Sequence, residues 1–201
     1  MRCLHESLKR LKTDYVDVMQ LHGYFHGPSV EEAQQENLLE ALQQMRQQGK
    51  VRWIGFSTGL PLLPTFHQWG VFDEFQIPYS ALNREHEGWI TKSADAGIGT
   101  VIRGGVAQGE PGEGRGRDET WRKFDEAKLD GLREEGESRS ALILRFTLAH
   151  PDIHTIIAGT KNPAHLRENT ETVLKGPLPA DTYEEAKRRL DEVGVRPAEV
   201  P

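Results

Sequence analysis

Short β-branched runs and helical-period segments alternate from one end of the sequence to the other, which leaves few folds open. Leu4, Leu8 and Leu11 recur at i, i+4 and i+7, the inner stripe of a short helix. Tyr15-Val-Asp-Val-Met-Gln-Leu21 follows as a strand-type run that ends at His22-Gly23. Ser29 with Glu32 makes a capping-box pattern, and Leu38, Leu42 and Met45 carry a helical face as far as Gly49. Val51 to Phe56 reads as the next strand, closed by Ser57-Thr58-Gly59. A short segment over 64–69 precedes a strand at 74–77. A helix over 84–96 leads through Gly97 into a strand at 99–102. Arg103 to Glu119 is glycine-rich and irregular, a loop of the size that is either functional or disordered. Two helices over 119–134 and 138–149 precede a compact, buried-type strand at 155–158. Pro163 opens another helix, and an Asp181–Glu184 capping pair begins a last one that stops at Gly194.

Strands joined by helices of this length pair in parallel through right-handed crossovers. The five strand segments fit either an open doubly wound sheet or part of a (β/α)8 barrel, and periodicity does not choose between them. No linker or repeat interrupts the pattern, so one domain over residues 1–201 is expected. Lys and Arg number 25 against 31 Asp and Glu, a net charge of −6 that argues against nucleic acid as a partner. The single cysteine, Cys3, allows no internal disulfide and points to a reducing, cytoplasmic setting. The opening residues hold no apolar signal core, and no run approaches the roughly 18 apolar residues of a membrane span. Cysteine pairs, HExxH, GxSxG and P-loop patterns are missing, so no metal site is expected. His5, His26, His67, His86, His150 and His154 read as surface or loop residues. Trp53, Phe56, Phe66, Trp69, Phe72 and Phe75 read as core.

In both architectures ligands meet the carboxyl ends of the strands, so the residues just after each strand carry the chemistry. His22 fits either a hydrogen-bond donor and acid–base group or a histidine that caps its strand. Ser57 and Thr58 fit ligand contacts or ordinary turn chemistry. Gln76 is either lumen-facing or a structural hydrogen bonder. Arg103-Gly-Gly-Val-Ala-Gln-Gly109 exposes backbone amides that can wrap phosphate oxygens. Gly159-Thr-Lys-Asn-Pro163 joins a strand to a helix N-terminus, where amides and the helix dipole attract anions, while Asn162 also serves as a plain N-cap.

Several segments resemble the aldo-keto reductase family, in order along residues 7–170. They are the run from Ser7-Leu8 and Arg10-Leu11 to Thr13-Asp14-Tyr15-Val16-Asp17-Val18 and Leu21-His22, then Gly49-Lys-Val-Arg-Trp-Ile-Gly-Phe-Ser57. Gln76-Ile77 with Tyr79-Ser80 and Leu82-Asn83-Arg84, Gly97 to Ile102, and Ile156 to Pro163 with Leu166 and Glu168-Asn169 continue the series. The resemblance implies a (β/α)8 barrel of which strands four to eight are present, binding NADPH and reducing aldehydes or ketones to alcohols. It assigns His22 to the active site as the group that orients and polarises the carbonyl. Ser57 and Gln76 match the holders of the nicotinamide carboxamide. Thr58 stands where the family has Asn, and Arg103 stands where it has an aromatic, with a guanidinium able to stack in its place. Gly104, Gly105, Val106, Ala107, Gln108 and Gly109 match the pyrophosphate loop. Gly159, Thr160, Lys161, His165, Glu168 and Asn169 match the adenosine end, with Lys161 near the 2′-phosphate.

The family's tetrad also contains an Asp, a Tyr and a Lys from the first three strands, which find no counterpart in these residues. Asp14, Tyr15 and Asp17 enter the strand at the wrong end for chemistry, and Tyr24 is the one nearby phenol at the right end. The resemblance therefore implies an impaired or inactive reductase in the chain as it stands. The alternative is a non-catalytic NADPH-binding or assembly module that needs a partner chain, with self-association through the open sheet edges.

Overall fold

Each strand of the computed structural model forms where a β-branched or aromatic run is closed by residues that favour turns. The structure describes residues 2–22 and 38–201. Tyr24, His26, Ser29 and Glu32 lie outside the described residues. The elements are α1 (Arg2–Leu11), β1 (Val16–His22), α2 (Leu38–Gln47), β2 (Val51–Ser57), α3 (Leu63–Gln68), β3 (Glu74–Pro78) and α4 (Glu87–Asp95). Then come β4 (Gly99–Arg103), α5 (Asp118–Glu126), α6 (Arg139–Leu148), β5 (Thr155–Ile157), α7 (Pro163–Lys175) and α8 (Ala180–Glu192). The strands are parallel in one open sheet of order β1-β2-β3-β4-β5.

By packing, the chain forms two compact units: Met1–Gln76 with Ala96–Gly99, and Ile77–Asp95 with Thr100–Pro201. In the first, Leu4 and Leu8 of α1 and Leu42 and Met45 of α2 are buried as the helical stripe requires, whereas Leu11 is exposed. Phe56 and Phe75 turn one face of β2 and β3 toward α3 and the segment after it. Phe56 meets Phe66 edge-on at 4.4 Å, and Phe72 lies 5.6 Å from Phe75. In the second unit, Ile102, Phe124, Ile143, Phe146 and Leu190 are fully buried.

The helix expected over 119–134 is broken. α5 ends at Glu126, Lys128 takes a left-handed φ of 51°, and a 3-10 turn over Leu129–Leu132 follows. That turn buries Leu129, and the Lys128 carbonyl accepts from Arg189 at 2.9 Å. The helix expected from residue 84 starts at Glu87, because Ser80 and Asn83 bond each other in a turn just before it. The last helix starts at Ala180 after Pro179. Asp181 lies inside its first turn and accepts from the amide of Thr182, so it is not the N-cap. The strand near 155 is not buried: among the described residues β5 pairs only with β4, at the end of the sheet, which leaves Ile157 51% exposed. Trp53, expected in the core, is 55% exposed, because it alternates away from the face that Ile54 and Phe56 bury. His86 and His150, expected as surface or loop residues, lie outside helices and strands but are both buried.

Candidate active site

In the first unit the register of three strands builds a row. His22 on β1 lies opposite Ser57 on β2, and Ser57 lies opposite Gln76 on β3. Residues in register on neighbouring strands share a face, and here it is the face opposite Phe56 and Phe75. Packing of the aromatic cluster thus settles where the polar row points, since a slip of one residue would exchange the two faces. Ser57 and Thr58 are buried and His22 is exposed. Ser57 Oγ donates to Gln76 Oε1 at 3.0 Å, and the Thr58 amide donates to the Gln76 carbonyl at 3.1 Å.

A second row lies two residues earlier on the same face, where Gln20, Gly55 and Glu74 are in register. Gln76 Nε2 donates to Gln20 Oε1 at 3.4 Å, and Gln20 Nε2 donates to Glu74 Oε2 at 2.8 Å. A Cβ on residue 55 would meet Glu74 Oε2 at 2.1 Å, so only glycine admits the carboxylate here. Burial pushes the Glu74 carboxyl above its ordinary value, and the Gln20 hydrogen bond partly offsets the rise. Neither Gln20 nor Glu74 was among the residues singled out from the sequence. The period-2 spacing along a strand would have found them, since Gln20 lies two residues before His22 and Glu74 two residues before Gln76, each pair on one strand face.

In the second unit, Arg103 ends β4 in register with Ile157, and its carbonyl accepts from the Tyr79 amide at 3.2 Å. Burial lowers the Arg103 guanidinium from its ordinary value. Burial first, and then the positive charge of Arg103, hold His86 down at about 4. After Arg103 the chain makes two tight turns: the Ala107 amide donates to Gly104 at 2.8 Å, and the Gly109 amide donates to Val106 at 2.9 Å. These bonds commit two of the amides that the sequence offered to phosphate. Gly104 and Gly109 have positive φ, as do Ala107 and Gln108. Gly105 is close-packed for a different reason, since a Cβ there would meet Ile156 at 2.8 Å. Ahead of α7, Gly159, Thr160 and Lys161 are exposed, Asn162 Oδ1 caps the Ala164 amide at 2.9 Å, and Thr160 Oγ1 accepts from the Asn162 amide. His165, Glu168 and Asn169 follow, half-buried, in the first turns of α7.

A parallel sheet joined by helices, with polar side chains on a shared face at its strand ends, fits part of a (β/α)8 barrel, and solved structures of that architecture superpose on it. The aldo-keto reductase AKR11C1 from Bacillus halodurans, in its holo form, superposes with a TM-score of 0.75 over 94% of this chain and 63% of its own length, at 24% identity. An aldo/keto reductase from Klebsiella pneumoniae in complex with NADP and acetate superposes at 0.68 over all of this chain and 66% of its own, at 22% identity. The chain belongs to the aldo/keto reductase family, whose model matches residues 1–191. Among curated relatives, the uncharacterized oxidoreductase YqkF of Bacillus subtilis is 26% identical over 83% of this chain and 57% of its own length. L-galactose dehydrogenase of Arabidopsis thaliana is 24% identical over 87% of this chain and 57% of its own. The chain thus spans a little under three fifths of the length of these relatives. Among the described residues, no helix is long and apolar enough to cross a membrane, and no group of three His, Cys, Asp or Glu could hold a metal ion.

Proposed function

We propose that this chain is the NADPH-binding part of a carbonyl-reducing oxidoreductase, acting as one domain in the cytoplasm on a small aldehyde or ketone. The observation that carries this reading is the His22–Ser57–Gln76 row with its Ser57–Gln76 hydrogen bond. A hydroxyl and a carboxamide in contact suit the amide group of a nicotinamide, which needs both a donor and an acceptor. The bound dinucleotide supplies hydride. His22, exposed at the end of the row, orients and polarises the carbonyl oxygen by hydrogen bonding. Thr58 joins Ser57 and Gln76 at the carboxamide, and the resemblance alone assigns Arg103 to the family's aromatic position, where a guanidinium can stack.

The resemblance alone assigns the other contacts. Gly104, Gly105, Val106, Ala107, Gln108 and Gly109 approach the pyrophosphate. Gly159, Thr160, His165, Glu168 and Asn169 hold the adenosine end, and the Lys161 ammonium attracts the 2′-phosphate. Fluorescence titration of NADPH into the 201-residue chain is expected to saturate. Gln76→Ala is expected to weaken binding about tenfold, equal to about 1.4 kcal/mol. Lys161→Ala should weaken NADPH and leave NADH unchanged. A wild-type titration without saturation would refute the reading.

Turnover is a separate matter, because the family's Asp, Tyr and Lys have no counterpart among these residues. A positioned proton donor contributes about 10²–10⁴ in rate, so the chain alone is expected to reduce aldehydes slowly or not at all. Turnover on the order of 1–10³ per second, ordinary for an enzyme, would overturn that expectation. A second reading, NADPH binding without turnover in an assembly that covers the open sheet, is supported by Val18 and Trp53. They lie in register, both exposed, on the face that carries His22. A monodisperse monomer by light scattering would remove its self-association form.

A further inference from the structure

We infer that Glu74 and Gln20 are positioning residues which set the direction of the Gln76 carboxamide, and through it the donor–acceptor pattern that Ser57 and Gln76 present. This rests on the reading of Ser57 and Gln76 as nicotinamide contacts. Ser57, Gln76, Gln20 and Glu74 form one directional chain of hydrogen bonds, all within the first unit. An amide can face either way, so a chain of two amides has two possible polarities. An ionised carboxylate accepts and never donates. Glu74 therefore draws the Gln20 NH2 toward itself and turns Gln20 Oε1 to the Gln76 NH2. The remaining Gln76 oxygen then faces the Ser57 hydroxyl. A protonated Glu74 can donate to Gln20 instead, and both amides reverse. The oxygen and nitrogen offered beside Ser57 then exchange places, and a carboxamide ligand meets like groups with like.

Glu74 is buried, and its Oε1 has no hydrogen-bond partner among the described residues. Among the described residues, the groups against it are neutral: Gln20 on β1, Gly55 on β2 and Gly99 at the start of β4. Asp73, its neighbour in sequence, is turned to the Ile54 amide and to Arg46. His22 lies two residues beyond Gln20 on the same face. A carboxylate retained there for stability alone would be poorly chosen, since a buried charge without a cation is unfavourable. Its rise above the ordinary carboxylate value brings the reversal closer to neutral pH.

The test has two readouts. In the cofactor-free chain, the 15N-labelled side-chain amides of Gln20 and Gln76 are followed by NMR from pH 4 to 9. The expected result is one shared inflection, lost in Glu74→Gln, which keeps size and hydrogen bonding but does not ionise. A Gln76 signal that ignores both pH and Glu74→Gln overturns the inference. NADPH is then titrated into wild type and Glu74→Gln over the same range. The wild type is expected to lose affinity as pH falls through the shared inflection. The variant is expected to bind about five- to tenfold more weakly at neutral pH, without that inflection. Equal binding by both at every pH overturns the role in ligand presentation. Coupled amide signals in a wild type that binds no NADPH uphold the relay and refute the nicotinamide reading, so the two failures are distinct.

Discussion

Two of the buried polar networks among the described residues are opposite in character. In the second unit, the Arg84 guanidinium donates to Glu87 at 2.7 and 3.3 Å, to Asp191 at 2.8 Å, and to the carbonyls of Lys187 and Val195. Tyr79 and Lys187 add to the same Glu87 carboxylate, and Tyr79 meets the Tyr183 hydroxyl. Both oxygens of Glu87 are engaged, and the cations beside it hold its carboxyl below the ordinary value against the pull of burial. In the first unit, Glu74 has, among the described residues, one amide partner, no cation and one unpartnered oxygen, and its carboxyl moves the other way. A saturated network is what fastening α8 and the following chain to α4 requires. An unsaturated one leaves a stability deficit that a purely structural site has no reason to keep.

Breaking the saturated network has the largest expected effect. Arg84→Ala leaves Glu87 buried with reduced compensation and is expected to lower unfolding free energy by about 3–5 kcal/mol in urea. A loss within about 1 kcal/mol would place Arg84 on a par with an exposed ion pair.

The next effect is the acid response of the second unit. His86 is held at about 4 in the folded chain against an ordinary 6.5, so the unfolded chain binds the extra proton between those values. The stability involved is complete above about pH 6.5 and is lost as pH falls toward 4, on the order of 3 kcal/mol at about 1.4 kcal/mol per pH unit. His86→Asn should flatten that part of the stability–pH curve, whatever its effect at neutral pH. An unchanged slope would refute the assignment.

Glu74 carries the opposite sign. Its folded value is raised, so the folded chain holds the proton longer, and stability declines as pH rises through that value. Glu74→Gln is accordingly expected to be the more stable protein at neutral pH, with the gain disappearing near pH 4. A variant less stable than wild type at neutral pH would mean that Glu74 has a partner of the kind Glu87 has.

Smallest is Ser57→Ala. Its hydroxyl donates one bond, to Gln76, and the change should cost about 1 kcal/mol in urea. The same variant should weaken NADPH several-fold, more than its stability loss explains.

Much of the architecture was legible in the sequence because it is local. The strands begin and end near where β-branched runs meet glycines and helix signals. Gly49, Gly97 and Gly194 take the positive φ that a helix stop requires, and Asn162-Pro163 starts a helix as its cap chemistry dictates. The misreadings share a cause. The break at Lys128 and the exposure of Trp53 and Ile157 depend on what packs against each residue, as does the burial of the loop histidines His86 and His150, and no pattern within a short window records that.

The 201 residues determined the alternation of strands and helices, the family, the strand-end positions of His22 and Ser57 and the place of Gln76 within its strand, because periodicity and motif spacing are properties of neighbouring residues. Tertiary structure decided which face those residues share and which carboxylate stands behind them. Gln20 and Glu74 are separated by 54 positions in the chain and come within 2.8 Å only after the strands pair in register and Gly55 leaves room between them.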